Sequence, residues 1–137
     1  LLAVLPAAVM FAHQAGRSWR FAQTFPAPLP RLAGEALARV SEAHDLAVVT
    51  ATGPRHVHGV VDNFEDPRVF YYAWRRGRVL PTDELTVAGL RAALAIGAEW
   101  LVVLDAARER ATPDFLAQIE QMPVAARGDG FVILRAR

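Results

Sequence analysis

The chain has 137 residues, 53% hydrophobic and 21% charged, which is enough for one domain with a buried core and excludes a disordered or fibrous protein. A net charge of +1 offers no global field for nucleic acid, and the absence of cysteine removes disulfides, thiolate catalysis and zinc–thiolate sites together. All 15 positive side chains are arginine.

The chain opens on an uncharged apolar run, Leu1 to Ala12. A membrane-spanning helix takes about 20 apolar residues, and this run is shorter. It also lacks the basic start and small-residue cleavage site of a signal peptide. The end of a transmembrane helix accounts for the abrupt apolar start and for Trp19 and Arg20 just beyond it, residues typical of a membrane–water boundary. The other reading is a core helix. On the first, residues 1–24 form the end of a transmembrane helix and its boundary segment, residues 25–30 a proline-rich connector, and residues 31–137 a soluble α/β domain.

The connector places Pro26, Pro28 and Pro30 at alternate positions, which suits a stiff extended segment. From Arg31 to Ala43, Leu32, Ala36, Leu37 and Val40 recur at helical spacing opposite Glu35, Arg39 and Glu42, so an amphipathic helix is predicted there. Leu46 to Ala51 is a continuous apolar run with β-branched residues, the pattern of a buried parallel strand. The loop after it, Thr52 to Gly59, lies at a carboxyl strand end, where ligands gather in open α/β sheets. His56 to Val61 reads as a short second strand.

Asp62 to Arg68 reads as an acidic loop in which Asp66 and Pro67 can start a helix. Next comes Val69 to Pro81, which combines Phe70, Tyr71, Tyr72 and Trp74 with Arg75, Arg76 and Arg78. Phe70 to Arg75 is predicted to be a short helix or strand, closed by Gly77 at positive φ, with Arg78 to Leu80 extended. Thr82 and Thr86 are helix-cap candidates for an amphipathic helix through Leu90, Ala93 and Leu94 that stops at Gly97. Glu99 to Asp105 is a second buried-strand pattern. Thr112-Pro113-Asp114 is a helix start, with the helix running to Gln121. Asp129-Gly130 between apolar runs predicts a hairpin. The expected fold is therefore α/β: a three-layer sandwich with a small mixed, mostly parallel sheet and a C-terminal hairpin.

Several constellations can carry chemistry, and each has a plainer reading beside it. His56 and His58 fall on one side of a strand, with Asp62 near, but zinc normally takes three or four protein ligands, so surface histidines are the alternative. Asp62, Glu65 and Asp66 miss the spacing of a calcium loop; they read as capping and solvation, or as a carboxylate pair. Asp105 ends a buried strand, and with Arg55, His56 and His58 it makes a candidate strand-end pocket. Gly53-Pro54-Arg55 is too short for a phosphate cradle, and the serines, Ser18 and Ser41, occupy no nucleophile turn. Tyr72, Trp74, Arg75, Arg76 and Arg78 are candidate contacts for a phosphate, lipid headgroup or acceptor. The alternative is that these arginines pair with Asp62, Glu65 and Asp66 and fix the loop. No metal ligand set and no cofactor is expected.

The run EDPRVFYYAWRRGRVLP, followed by Leu85-Thr86 and Gly97-Ala98-Glu99-Trp100-Leu101-Val102-Val103, resembles the C-terminal soluble domain of bacterial membrane glycosyltransferases. The type is that of dolichyl-phosphate-mannose–protein mannosyltransferases and aminoarabinose transferases. The likeness spans about Arg31 to Arg137; Arg78 departs from it, since the family often has Trp after Arg-Gly. The resemblance implies an accessory extracytoplasmic domain, non-catalytic by itself, of an inner-membrane enzyme that uses a polyprenyl-phosphate sugar. It transfers no catalytic residue to this chain. Implied partners are membrane lipid or the polyprenyl-phosphate sugar, through the full-length protein, and no nucleic acid. Arg17, Arg20 and Arg31 beside the leader pull toward the cytoplasmic side. Two alternatives stay open: a free-standing α/β enzyme or ligand-binding domain using the strand ends, and a membrane-anchored interaction module.

Overall fold

The computed structural model describes residues 29–61 and 68–137. In chain order the elements are α1 (Leu29–Val40), β1 (Leu46–Thr50), β2 (His56–Val57), β3 (Val60–Val61), α2 (Arg68–Ala73), β4 (Arg76–Leu80), a 3-10 turn (Thr82–Glu84), α3 (Val87–Leu94), β5 (Trp100–Leu104), α4 (Asp105–Arg108), α5 (Pro113–Glu120), β6 (Val124–Gly128) and β7 (Phe131–Arg135). The leader, most of the proline connector and the acidic loop Asp62 to Pro67 lie outside the described residues. Among the described residues no helix is long and apolar enough to cross a membrane.

The main sheet has the order β4-β1-β5-β7-β6. The strands β4, β1 and β5 are parallel, with Val48 opposite both Arg78 and Leu101. β7 is antiparallel to β5, with Val102 opposite Ile133, and β6 closes the sheet as the outer strand of a hairpin. This is the expected α/β architecture with a mixed sheet and a C-terminal hairpin. β2 and β3 form a separate two-stranded ribbon.

Period-two alternation sorts the central strands onto two cores. Val48, Leu101, Val103, Val132 and Leu134 face a cluster built with Leu90 and Ala93 of α3, Ala107 of α4, and Phe115 and Ile119 of α5. Ala47, Val49, Trp100, Val102, Leu104, Phe131 and Ile133 face the other way, onto Ala33, Ala36 and Leu37 of α1 and Val69 and Ala73 of α2. The result is three layers, with β5 buried along its whole length. Burying each of the Val, Leu, Ile and Phe side chains among these is worth roughly 1.5–3 kcal/mol relative to leaving it in water.

Two buried polar residues pin the layers. The Trp100 indole Nε1–H donates to Asp45 Oδ2 at 2.8 Å, and the Glu42 backbone N–H donates to the same oxygen at 2.7 Å. The Leu104 N–H donates to Thr50 Oγ1 at 2.9 Å across β1 and β5.

The helix ends follow their sequence signals. Thr86 and Thr112 cap α3 and α5 by accepting from Gly89 N–H at 3.1 Å and Phe115 N–H at 3.4 Å. Gly97 takes φ +91° after α3. α1 begins at Leu29, inside the stretch expected to be connector, because Pro30 fits a first helical turn where its missing N–H costs nothing.

Candidate functional site

The aromatic–arginine run divides between α2 and the edge strand β4. Phe70, Tyr71 and Tyr72 lie on α2, and Arg76 and Arg78 lie on β4, with Trp74 and Arg75 in the corner between. Val69 and Ala73 are the buried positions of α2 and pack on α1. Tyr72 leans on α1 at Gly34, where an added Cβ would come within 2.7 Å of the Tyr72 Cβ. Tyr71, about 100° around the helix from Tyr72, faces solvent.

The left-handed residue at the end of α2 is Trp74, at φ +54°, and not Gly77. Such a φ costs a residue with a Cβ on the order of 1–2 kcal/mol, and for a bulky side chain it is a marked outlier. Arg75 supplies the compensation. Its Nε–H donates to Ser41 Oγ at 2.9 Å, and Nη1 donates to the Ala73 and Trp74 carbonyls at 3.1 and 3.2 Å. Nη2 donates to the carbonyls of Ala38 at 3.4 Å and Ser41 at 2.5 Å. One guanidinium thus satisfies the carboxyl end of α1, where a cation also meets the helix dipole, and fastens the corner that carries Trp74.

Gly77 serves a different purpose. It sits in β4 opposite Ala47, and a Cβ there would fall 1.7 Å from the Ala47 carbonyl oxygen. It is a close-approach glycine.

The remaining arginines separate in the same way. Arg78 Nη2 donates to Glu84 Oε2 at 3.2 Å, and Arg55 Nη2 pairs with Glu84 Oε1 at 2.9 Å. The Arg55 N–H also donates to Asp83 Oδ1 at 3.1 Å. Glu84 therefore ties the loop after β1 to β4, a bridging role that nothing in its sequence neighbourhood signals. The acidic residues Asp62, Glu65 and Asp66, considered as partners for this cluster, lie outside the described residues. Among the described residues Arg76 makes no hydrogen bond or ion pair, and it is exposed.

Trp74 and Tyr71 are 82% and 70% exposed. Their rings lie nearly parallel, 25° apart in plane with centroids 6.3 Å apart, and Tyr72 meets Tyr71 edge-on at 5.3 Å. Between them is an open depression of about 550 Å³ lined by Ala43, Phe70, Tyr71, Trp74, Arg75 and Arg76.

The strand-end residues are arranged differently from the strand pattern expected of them. His58 occupies the turn of the β2–β3 hairpin at φ +52°, followed by Gly59 at φ +79°. Both central residues being left-handed is the two-residue hairpin turn whose twist suits the flanking strands. His56 and His58 therefore do not share a strand face, and both are exposed. Asp105 is exposed at the start of α4, and its backbone N–H donates to the Gly130 carbonyl at 2.9 Å. No hydrogen bond or ion pair joins Arg55, His56, His58 and Asp105 to one another among the described residues. Among the same residues no group of three or more His, Asp or Glu side chains is placed to hold a metal ion.

Among the buried groups described, Asp45 has a shifted carboxyl. The hydrogen bond from Trp100 holds its carboxyl below the ordinary carboxylate range; burial opposes this, and the Glu42 N–H adds to it. This is a structural lock within a core. Compared with known protein families, curated proteins and solved structures, the chain matches none.

Proposed function

We propose that this chain is an accessory domain of a polyprenyl-phosphate-sugar-dependent membrane glycosyltransferase, placed on the extracytoplasmic side and without catalytic activity of its own. The observation that carries the reading is the fate of the aromatic–arginine run on which the family resemblance rests. Arg75 spends its donors on helix carbonyls, and Arg78 and Arg55 share Glu84, so these cations hold the fold. What the run offers to solvent is an aromatic surface, Tyr71 and Trp74 beside Arg76, with no acid–base pair among the described residues of its lining. Such a surface supports contact with an acceptor or a headgroup, whereas bond cleavage needs a positioned acid, base or nucleophile.

The test is the reading frame upstream of Leu1, together with an assay of the chain for sugar transfer from a polyprenyl-phosphate donor. The proposal expects many apolar spans upstream, an acidic residue in the first outside loop, and no transfer by the chain alone. A start codon just before Leu1, or turnover of the donor by the chain, overturns it.

A further inference from the structure

The corner between α2 and β4 has three properties that its role in the fold does not require. Its two exposed rings are held by an aromatic stack and by a left-handed backbone that Arg75 pins. The depression they border is lined, among the described residues, by two arginines and no acid. The five N–H groups of Arg75 are all given to protein oxygens, so it contributes charge alone, while Arg76 has no hydrogen-bond or ion-pair partner among the described residues. From Arg68 to Arg78 the sequence carries four arginines and no acid.

The geometry points to this corner as a docking site for an anionic phospholipid surface, with Trp74 and Tyr71 entering the headgroup layer and Arg76 meeting lipid phosphate. Amphipathic rings settle at the membrane–water boundary, and an arginine beside them adds attraction to anionic headgroups. The charge decides the occupant. A protein hot spot gains most from an aromatic anchor sunk in a fitted pocket behind a rim; here the rings stand out beside an open depression whose described lining carries Arg75 and Arg76 and no acid. The site rests on the α2–β4 geometry, so it stands or falls separately from the glycosyltransferase reading.

The experiment uses the full 137-residue chain carrying Trp19→Phe, which leaves the buried Trp100 and the exposed Trp74 as emitters. It is mixed with phosphatidylcholine vesicles, with or without phosphatidylglycerol, that contain brominated acyl chains. On the anionic vesicles Trp74 emission shifts to the blue and is quenched, and Trp74→Asn abolishes both changes. Arg76→Ala, an exposed change that leaves the circular dichroism spectrum intact, weakens the lipid dependence about fivefold, the effect of one arginine at such a surface. Raised salt weakens it further. Unquenched Trp74 on a chain that pellets with the anionic vesicles overturns the proposal. So does equal quenching on pure phosphatidylcholine that ignores Arg76→Ala. An emission shift produced equally by inorganic phosphate alone overturns it as well, since that marks a free-anion site.

Discussion

Arg75 and Trp74 show how one residue's chemistry sets its neighbour's conformation. The Arg75 guanidinium spans the carbonyls of Ala38, Ser41, Ala73 and Trp74, and a lysine ammonium cannot reproduce that planar fork. Arg75→Lys leaves half-buried carbonyls at the end of α1 short of donors, a loss of about 0.5–1.5 kcal/mol per lost hydrogen bond. A drop in the urea midpoint of that order, with the slope unchanged, is the expected result. Asp45 gives a pH signature. Its folded pKa lies below the ordinary value, so its contribution is complete above the unfolded value near about 4 and fades as pH falls through the folded one. The stability gap between wild type and Asp45→Asn is therefore flat through neutral pH and narrows below about pH 4, which urea unfolding at a series of pH values measures. Little of this was legible beforehand. Glycine is the usual left-handed residue, so the sequence points to Gly77; the position went to Trp74 because the next residue, Arg75, is anchored to Ser41 and Ala38, which are distant in sequence, and those bonds outweigh local preference.

At the scale of elements, legibility followed apolar continuity. β1 and β5 are buried on both faces and announce themselves as unbroken aliphatic runs, and Asp129-Gly130 marks the β6–β7 hairpin. β4 was legible only in part: Arg78 to Leu80 reads as extended, but the strand also takes in Arg76 and Gly77, and only Val79 and Leu80 are buried. It is a strand by virtue of its pairing with β1, and its charged residues also discourage further strands from adding at that edge. Gly77→Ala tests the pairing. The new methyl would meet the Ala47 carbonyl, so β4 must move away, at a cost of roughly 1–3 kcal/mol for overpacking. Faster amide exchange confined to Arg76–Leu80 and β1 is the expected readout; unchanged exchange contradicts the close approach. Thr50→Val belongs to the same scale, since it leaves the Leu104 N–H unsatisfied between β1 and β5 and costs about 1–3 kcal/mol. Thr50→Ser retains the acceptor and recovers most of that loss, as thermal unfolding would show.

For the whole molecule, the sheet separates two cores, and the corner that presents Trp74 is attached to one of them through α1 and α2 and to the other through Leu80 of β4. Composition and hydrophobic patterning made the three-layer α/β class readable. The division of labour within the aromatic–arginine run was not, because exposure and pairing depend on contacts between α1, α2 and the 3-10 turn. The central claim is that Arg75 and Arg78 maintain the fold while Trp74 is displayed on it. Urea unfolding of Trp74→Asn tests this most directly, since asparagine tolerates the left-handed backbone. The account predicts a midpoint at or slightly above that of wild type with an unchanged slope. A loss of about 3 kcal/mol or more, the cost of removing a core aromatic, would contradict it.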